Sequence, residues 1–236
     1  MSRPSLIRRS ALRIIAPVLK AWYARWTSKE RRVSVDGFDL VIPPGVFHPD
    51  LFLSTRLLAE HVRGLALAGK TFLDLGTGSG RIALTAARAG AIVTACDVNP
   101  SAVECVRRNA EHNKLRITPV LSDQFDVLPG HFDVIAINPP YYDRDPATLA
   151  EHAFLAGEGH RYFVRLFPAL AERIRKGSDV FMVLSEDLDL ERIRRIASTS
   201  ALGSRPVRRT KRWGETTTVF HIVQVSTDAR SSATGG

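Results

Sequence analysis

From residue 71 onward, short apolar runs alternate with stretches of helical periodicity, and this rhythm restricts the fold more than any other feature. "TFLDL" (71–75) leads into "RIALTAARAG" (81–90). "AIVTACD" (91–97) leads through Asn99-Pro100, a cap and a first-turn proline, into "SAVECVRRNAEHN" (101–113). Further apolar runs follow at "RITPVLSD" (116–123), "FDVIAIN" (132–138) and "SDVFMVLS" (178–185). Helices are expected around 158–176 and over "EDLDLERIRRIAST" (186–199), whose acids suit a first turn. Strands that alternate with helices cannot pair as hairpins. They form a mostly parallel, doubly wound α/β sheet with helices on both faces. The final run, "VRRTKRWGETTTVFHIVQV" (207–225), reads as two strands around Gly214, so an antiparallel hairpin closes the sheet. Upstream, "RRVSVDGFDLVIPPG" alternates about Asp36-Gly37 as a hairpin does, and "DLFLSTRLLAEHVRGL" (50–65) is helical.

At 236 residues and 44% hydrophobic content, the chain suits one large domain, or one with a short appendage. No apolar run reaches the roughly 18 residues needed to cross a bilayer. Cys96 and Cys105 are too few for a disulfide scaffold and match no metal-ligand spacing, so no metal site is expected and a reducing cytoplasm is the plain setting. They read as small buried hydrophobes.

Charge is uneven. Residues 1–32 hold nine Lys/Arg and one acid, Glu30, and so carry +8 of the total +9. "RPVRRTKR" (205–212) adds five more cations without an acid. Both patches could meet RNA or another anionic surface, or serve only as solvated charge. In the first segment, Leu12, Ile15, Leu19, Trp22 and Trp26 recur at helical steps and Pro17 interrupts them, which suggests a short basic amphipathic helix pair. A mitochondrial transit peptide has a similar composition. The chain divides into this segment (1–32), a hairpin and helix (33–65), a catalytic domain (66–226) and a disordered tail (227–236).

Ligands of open parallel sheets bind beyond the carboxyl ends of the strands. There this chain carries "DLGTGSG" (74–80), "CDVNP" (96–100), "SDQFD" (122–126) and "NPPYY" (138–142). Gly76, Gly78 and Gly80 let backbone approach a ligand, yet Arg81 stands where a dinucleotide fingerprint needs its last glycine, and no P-loop Gly-Lys-Ser/Thr is present. A carboxylate at Asp74 repels a pyrophosphate and suits a cationic or amine-bearing ligand. Asp97 can accept two ribose hydroxyls, and Asp123 can accept from an adenine amino group. Together they describe a nucleoside with a cationic tail. Taken singly, each acid could be a strand-end or cap residue, and "NPPYY" a turn.

These four segments resemble the class I S-adenosylmethionine-dependent methyltransferases, over roughly residues 40–225. The resemblance implies a Rossmann-like methyltransferase fold of seven strands. It implies a cofactor site at Asp74, Gly76, Thr77, Gly78, Gly80, Asp97, Val98, Asp123, Gln124 and Asn138. "NPPY" is similar to the catalytic tetrapeptide of enzymes that methylate planar nitrogens, either glutamine side chains in proteins or amino groups of adenine or guanine. It implies catalytic roles for Asn138, Pro139, Pro140 and Tyr141. The larger N-terminal helical domain of the release-factor glutamine methyltransferases has no room in this chain.

The chemistry behind such a motif is direct. A planar amide nitrogen has a delocalised lone pair and becomes nucleophilic only as it turns tetrahedral. Acceptors on its two N–H groups favour that change; the Asn138 side-chain oxygen and the Pro139 carbonyl can supply them. Tyr141 offers a face for stacking, with Tyr142 at the rim. A protein glutamine is the slightly favoured acceptor and a nucleic-acid base the alternative. Two remoter possibilities are a nicotinamide-dependent oxidoreductase and a non-catalytic RNA-binding module.

Overall fold

The computed structural model describes residues 28–49, 52–128, 130–212 and 214–225. The amphipathic pattern of 1–27 and the expected tail at 227–236 lie outside the described residues.

A hairpin comes first: β1 (Arg31–Val35) and β2 (Phe38–Ile42) pair antiparallel. Asp36 and Gly37 both take positive φ, 53° and 74°, as a two-residue turn of this hand requires. Phe38, Leu40 and Ile42 then share one face and bury against helix α3 (Pro100–His112), beside Ala102, Cys105 and Ala110. Between hairpin and α3 come α1 (Leu53–Arg63), β3 (Thr71–Leu75), α2 (Arg81–Arg88) and β4 (Ile92–Asp97). After α3 follow β5 (Ile117–Leu121), β6 (Val134–Ile137), α4 (Arg161–Ala171), β7 (Asp179–Ser185), α5 (Leu190–Ser198), β8 (Leu202–Arg212) and β9 (Glu215–Gln224).

The seven-stranded sheet has the order β5-β4-β3-β6-β7-β9-β8. Strands β3 to β7 run parallel, and β9 and β8 are antiparallel additions at one end. The doubly wound expectation and its C-terminal hairpin both hold. Period-two alternation sorts the strand residues between two cores. Leu73, Leu75, Ile135 and Ile137 pack with Phe163, Phe167 and Leu170 of α4. Phe72, Val134 and Ala136 pack with Leu58 and Val62 of α1 and with Ile82 and Ala86 of α2. Each fully buried Leu or Phe contributes ~1.5–3 kcal/mol by leaving water. The outer strands each contain a proline, Pro119 in β5 and Pro206 in β8, positions that cost the fewest ladder hydrogen bonds.

Several boundaries differ from expectation. The helix expected over 158–176 begins at Arg161 after a 3-10 turn (Glu158–His160), because Gly159 and His160 take positive φ. The last helix starts at Leu190, where the Asp189 side chain accepts from the Arg192 N–H at 3.0 Å. Glu186 and Asp187 precede that cap, so of the acids in the run only Glu191 sits in the first turn. Strand β8 reaches back to Leu202 through a bulge between Pro206 and Arg208.

Candidate active site

The carboxyl ends of β3, β4 and β6 open into a cavity of about 470 Å3. Its lining includes Asp74, Gly76, Thr77, Gly78, Asp97, Val98, Asp123, Gln124, Asn138 and Pro140, so most of the residues expected from the sequence meet at one place.

The turn after β3 is fixed from below. The Gly76 and Thr77 N–H groups both donate to the Cys96 carbonyl at 2.9 Å, which locks the turn to β4. Asp74 is buried, and one carboxylate oxygen accepts from Thr77 Oγ1 at 2.7 Å and from the Ala83 N–H at 3.0 Å. Burial raises its pKa to about 7, against the pull of those two hydrogen bonds. Asp97 ends β4. Its two oxygens accept from the Gly78 and Asn99 N–H groups, each at 2.9 Å. Burial raises its pKa as well, although backbone hydrogen bonds oppose the shift.

The glycines divide by role. At Gly76, φ is +78° and a Cβ would meet nothing within 4 Å, so the position is open. Gly78 faces Phe47, whose Cβ would lie 3.4 Å from an added methyl. Gly80 is not part of the cavity wall. A Cβ there would come within 2.6 Å of Val106 Cγ2, so this glycine permits the close approach of the α2 N-terminus to α3. The expectation that it touches a ligand is corrected to that extent. Asp123 is half exposed at the rim and pairs with Arg165, which also pairs with Asp126. Gln124, with φ of 53°, points inward; its Nε2 donates to the Tyr162 carbonyl at 3.0 Å, and its buried Oε1 has no partner among the described residues.

Asn138 follows β6. Its Nδ2 donates to Thr55 Oγ1 at 3.1 Å, and Thr55 is buried in the first turn of α1. No described backbone N–H donates to the Pro139 carbonyl. Pro139 and Pro140 are buried. Tyr141 does not line the cavity as expected. Its hydroxyl is buried beside Ser54, and burial raises its pKa. Tyr142 is 64% exposed. The chain then turns back on itself. The Tyr141 and Tyr142 N–H groups donate to the Phe154 carbonyl, at 2.9 and 2.8 Å, and Asp143 accepts from the His160 N–H at 3.0 Å. The segment held this way adds Leu149, His152 and Ala156 to the wall.

Sequence reasoning missed Thr55, Arg81 and this returning segment. In the sequence Arg81 served only to exclude a dinucleotide fingerprint. It is 3% exposed; it donates from Nε (2.9 Å) and Nη2 (2.6 Å) to Asp36 and from Nη1 to the Pro49 carbonyl, so it anchors the first hairpin beneath the cavity. Burial would raise the Asp36 pKa, but Arg81 and Arg63 outweigh it and hold the carboxyl low. Cys96 and Cys105 are free and buried, and burial pushes both thiols up to about 12, so neither is a nucleophile at neutral pH.

The comparisons with known proteins bear on this geometry. Residues 37–194 match the methyltransferase small domain. The chain belongs to that family. A Methanocaldococcus jannaschii protein, provisionally named a protein N5-glutamine methyltransferase, is 30% identical over 168 residues, covering 68% of this chain and 82% of that one. A release factor glutamine methyltransferase of Rhodopirellula baltica is 38% identical over 131 residues. That match spans 49% of this chain and under half, 44%, of the relative. Among solved structures, a T. thermophilus 16S rRNA N2 methyltransferase in complex with AdoMet and guanosine has a TM-score of 0.60 at 22% identity, over 84% of this chain and 50% of that one. A Pyrococcus furiosus methyltransferase has a TM-score of 0.59 at 20% identity, over 89% and 100%. These two likenesses are of fold. This small-domain methyltransferase is an enzyme dependent on S-adenosylmethionine, and the family sets aside the oxidoreductase and the non-catalytic module.

The residues present fit that cofactor. Asp74 and Asp97 place carboxylates in the cavity that could take an ammonium group and ribose hydroxyls, Gly76 leaves an open cradle, and Gln124 Oε1 is a buried acceptor without a donor among the described residues. Among the described residues, no helix is long and apolar enough to cross a membrane.

Proposed function

We propose that this small-domain methyltransferase methylates the side-chain amide nitrogen of a glutamine in a protein. The orientation of Asn138 carries the chemistry: its Nδ2 is engaged by Thr55, which leaves Oδ1 without a donor among the described residues, on a side chain that lines the cavity. Oδ1 and the Pro139 carbonyl accept the two N–H bonds of the incoming amide and favour its tetrahedral form. Asp97 holds ribose hydroxyls, Asp74 faces the ammonium group, and Gly76, Thr77, Gly78 and Val98 shape the wall beside them. Gln124, with Asp123 at the rim, takes the adenine edge. S-adenosylmethionine supplies an electrophilic methyl group on a sulfonium. No strong base is required beforehand, because the alkylated nitrogen loses its proton after transfer. Holding both reactants in line can supply ~7–11 kcal/mol of the barrier reduction.

The glutamine acceptor is supported by the M. jannaschii relative, most of whose length this chain covers. A nucleic-acid amino group is the second reading, favoured by the exposed cations along β8. An RNA contact through 1–32 and 205–212 belongs to that second reading. Residues 66–226 are the catalytic domain in this proposal, with 33–65 its buttress. Two buried free thiols suit a reducing cytoplasm. The test is tritiated methyl transfer into a cell lysate, followed by separate protease and nuclease digestion. Label released by protease as N5-methylglutamine is the expected result. Label released only by nuclease would replace the proposal with the second reading.

A further inference from the structure

We propose that Thr55 is a positioning residue for methyl transfer, acting through the Asn138 amide. The inference rests on the reading of Asn138 as the acceptor of the substrate N–H. A carboxamide has two ends of nearly equal size and opposite polarity. Only its oxygen can accept from an incoming nitrogen; the flipped amide would point two donors at it. Shape alone does not separate the two states, so a polar partner must. Thr55 provides one. Its Oγ1 lies 3.1 Å from Nδ2, and the two residues are 83 positions apart in the chain. Both line the cavity. Nothing among the described residues donates to Asn138 Oδ1. The backbone around Asn138 is restricted, by β6 before it and by two buried prolines after it. The neighbouring Ser54 lies beside the buried Tyr141 hydroxyl, so consecutive residues of α1 stand next to the first and last members of the Asn-Pro-Pro-Tyr motif, and Thr55 is the one with a hydrogen bond to it.

Thr55→Val keeps the shape and removes the hydroxyl, and Thr55→Ser keeps the hydroxyl. The probe is the initial rate of tritium transfer from saturating S-adenosylmethionine into lysate, with S-adenosylhomocysteine affinity measured by calorimetry. Thr55→Val is expected to slow transfer about fivefold to tenfold, the effect of one lost hydrogen bond, while the calorimetric Kd stays within about twofold. Thr55→Ser should restore most of the rate. The decisive comparison repeats Thr55→Val in an Asn138→Asp background. A carboxylate has no wrong end, so the hydroxyl should matter little there, whereas a folding defect would carry over in full. Equal losses in both backgrounds, or no rescue by serine, overturn the proposal. Full activity of Thr55→Val beside a dead Asn138→Ala overturns it and leaves the role of Asn138 standing. Near wild-type activity of Asn138→Ala removes that role, and the inference with it.

Discussion

Asp74 is a buried carboxyl in the cavity wall whose charge changes near neutral pH. Burial raises its pKa from 3.8 to about 7. A carboxyl with a raised folded-state pKa favours the folded state while protonated. That contribution is complete below the unfolded-state value and is lost as pH rises through the folded-state value. The free protein should therefore lose stability between about pH 4 and pH 7 from this group. A cationic ligand reverses the preference, because an ammonium group favours the ionised carboxylate. Affinity for S-adenosylmethionine should rise from pH 6 to pH 8. Calorimetry near pH 6.5, in buffers of different ionisation enthalpy, should register proton release on binding. Asp74→Asn should bind more weakly and lose the proton release. A wild-type affinity that is flat over this range would show that Asp74 does not meet the cationic end.

At the scale of elements, the tightest glycine among those described joins the N-terminus of α2 to α3, where Gly80 approaches Val106. A methyl group at Gly80 would sit 2.6 Å from Cγ2, on a backbone with φ of +87°. Gly80→Ala should cost ~1–3 kcal/mol through strain and overpacking. Urea denaturation should show a lower midpoint, and Val106→Ala should relieve part of the loss. Additive effects of the two substitutions would refute the contact. The sequence alone marked Gly80 as special but not why, since a glycine that admits a ligand and one that admits a helix look the same in a string. The alternation of strands and helices, the Asp36-Gly37 turn, the Asn99 cap and the strand-end motifs were all legible, because each depends on local periodicity or backbone dihedrals. Thr55 was not, since its partner lies 83 positions away. The structural role of Arg81 was hidden for the same reason: it depends on Asp36, which only the folded hairpin brings near. Tyr141 was expected at the acceptor because a motif names residues without fixing which way a ring turns.

The whole molecule is electrically lopsided. Residues 1–32 carry +8 of a net +9. A variant beginning at Val33 is nearly neutral. If the segment attracts an acidic acceptor, truncation should lower kcat/KM at low salt and leave kcat unchanged. The difference should fade near 1 M salt, where the screening length is ~3 Å. If the acceptor is single-stranded RNA held by about six phosphate contacts, the log–log salt dependence of binding should have a slope near −4, and truncation should flatten it. Equal kcat/KM for both proteins at every ionic strength would show that the segment serves neither purpose.

The two prolines on the rims of the sheet, Pro119 and Pro206, have a consequence for how the protein behaves in a crowd. An outer strand with free N–H and C=O groups invites another chain to add itself, which is how soluble proteins begin to aggregate. Each proline deletes a donor from such a template. On β8 the bulge beside Pro206 and the cations at Arg205, Arg208, Arg209, Lys211 and Arg212 also make a second copy repel the first. The basic run would then be of use without any ligand, as a guard against fibre growth along β8, the longer of the two outer strands among the described residues.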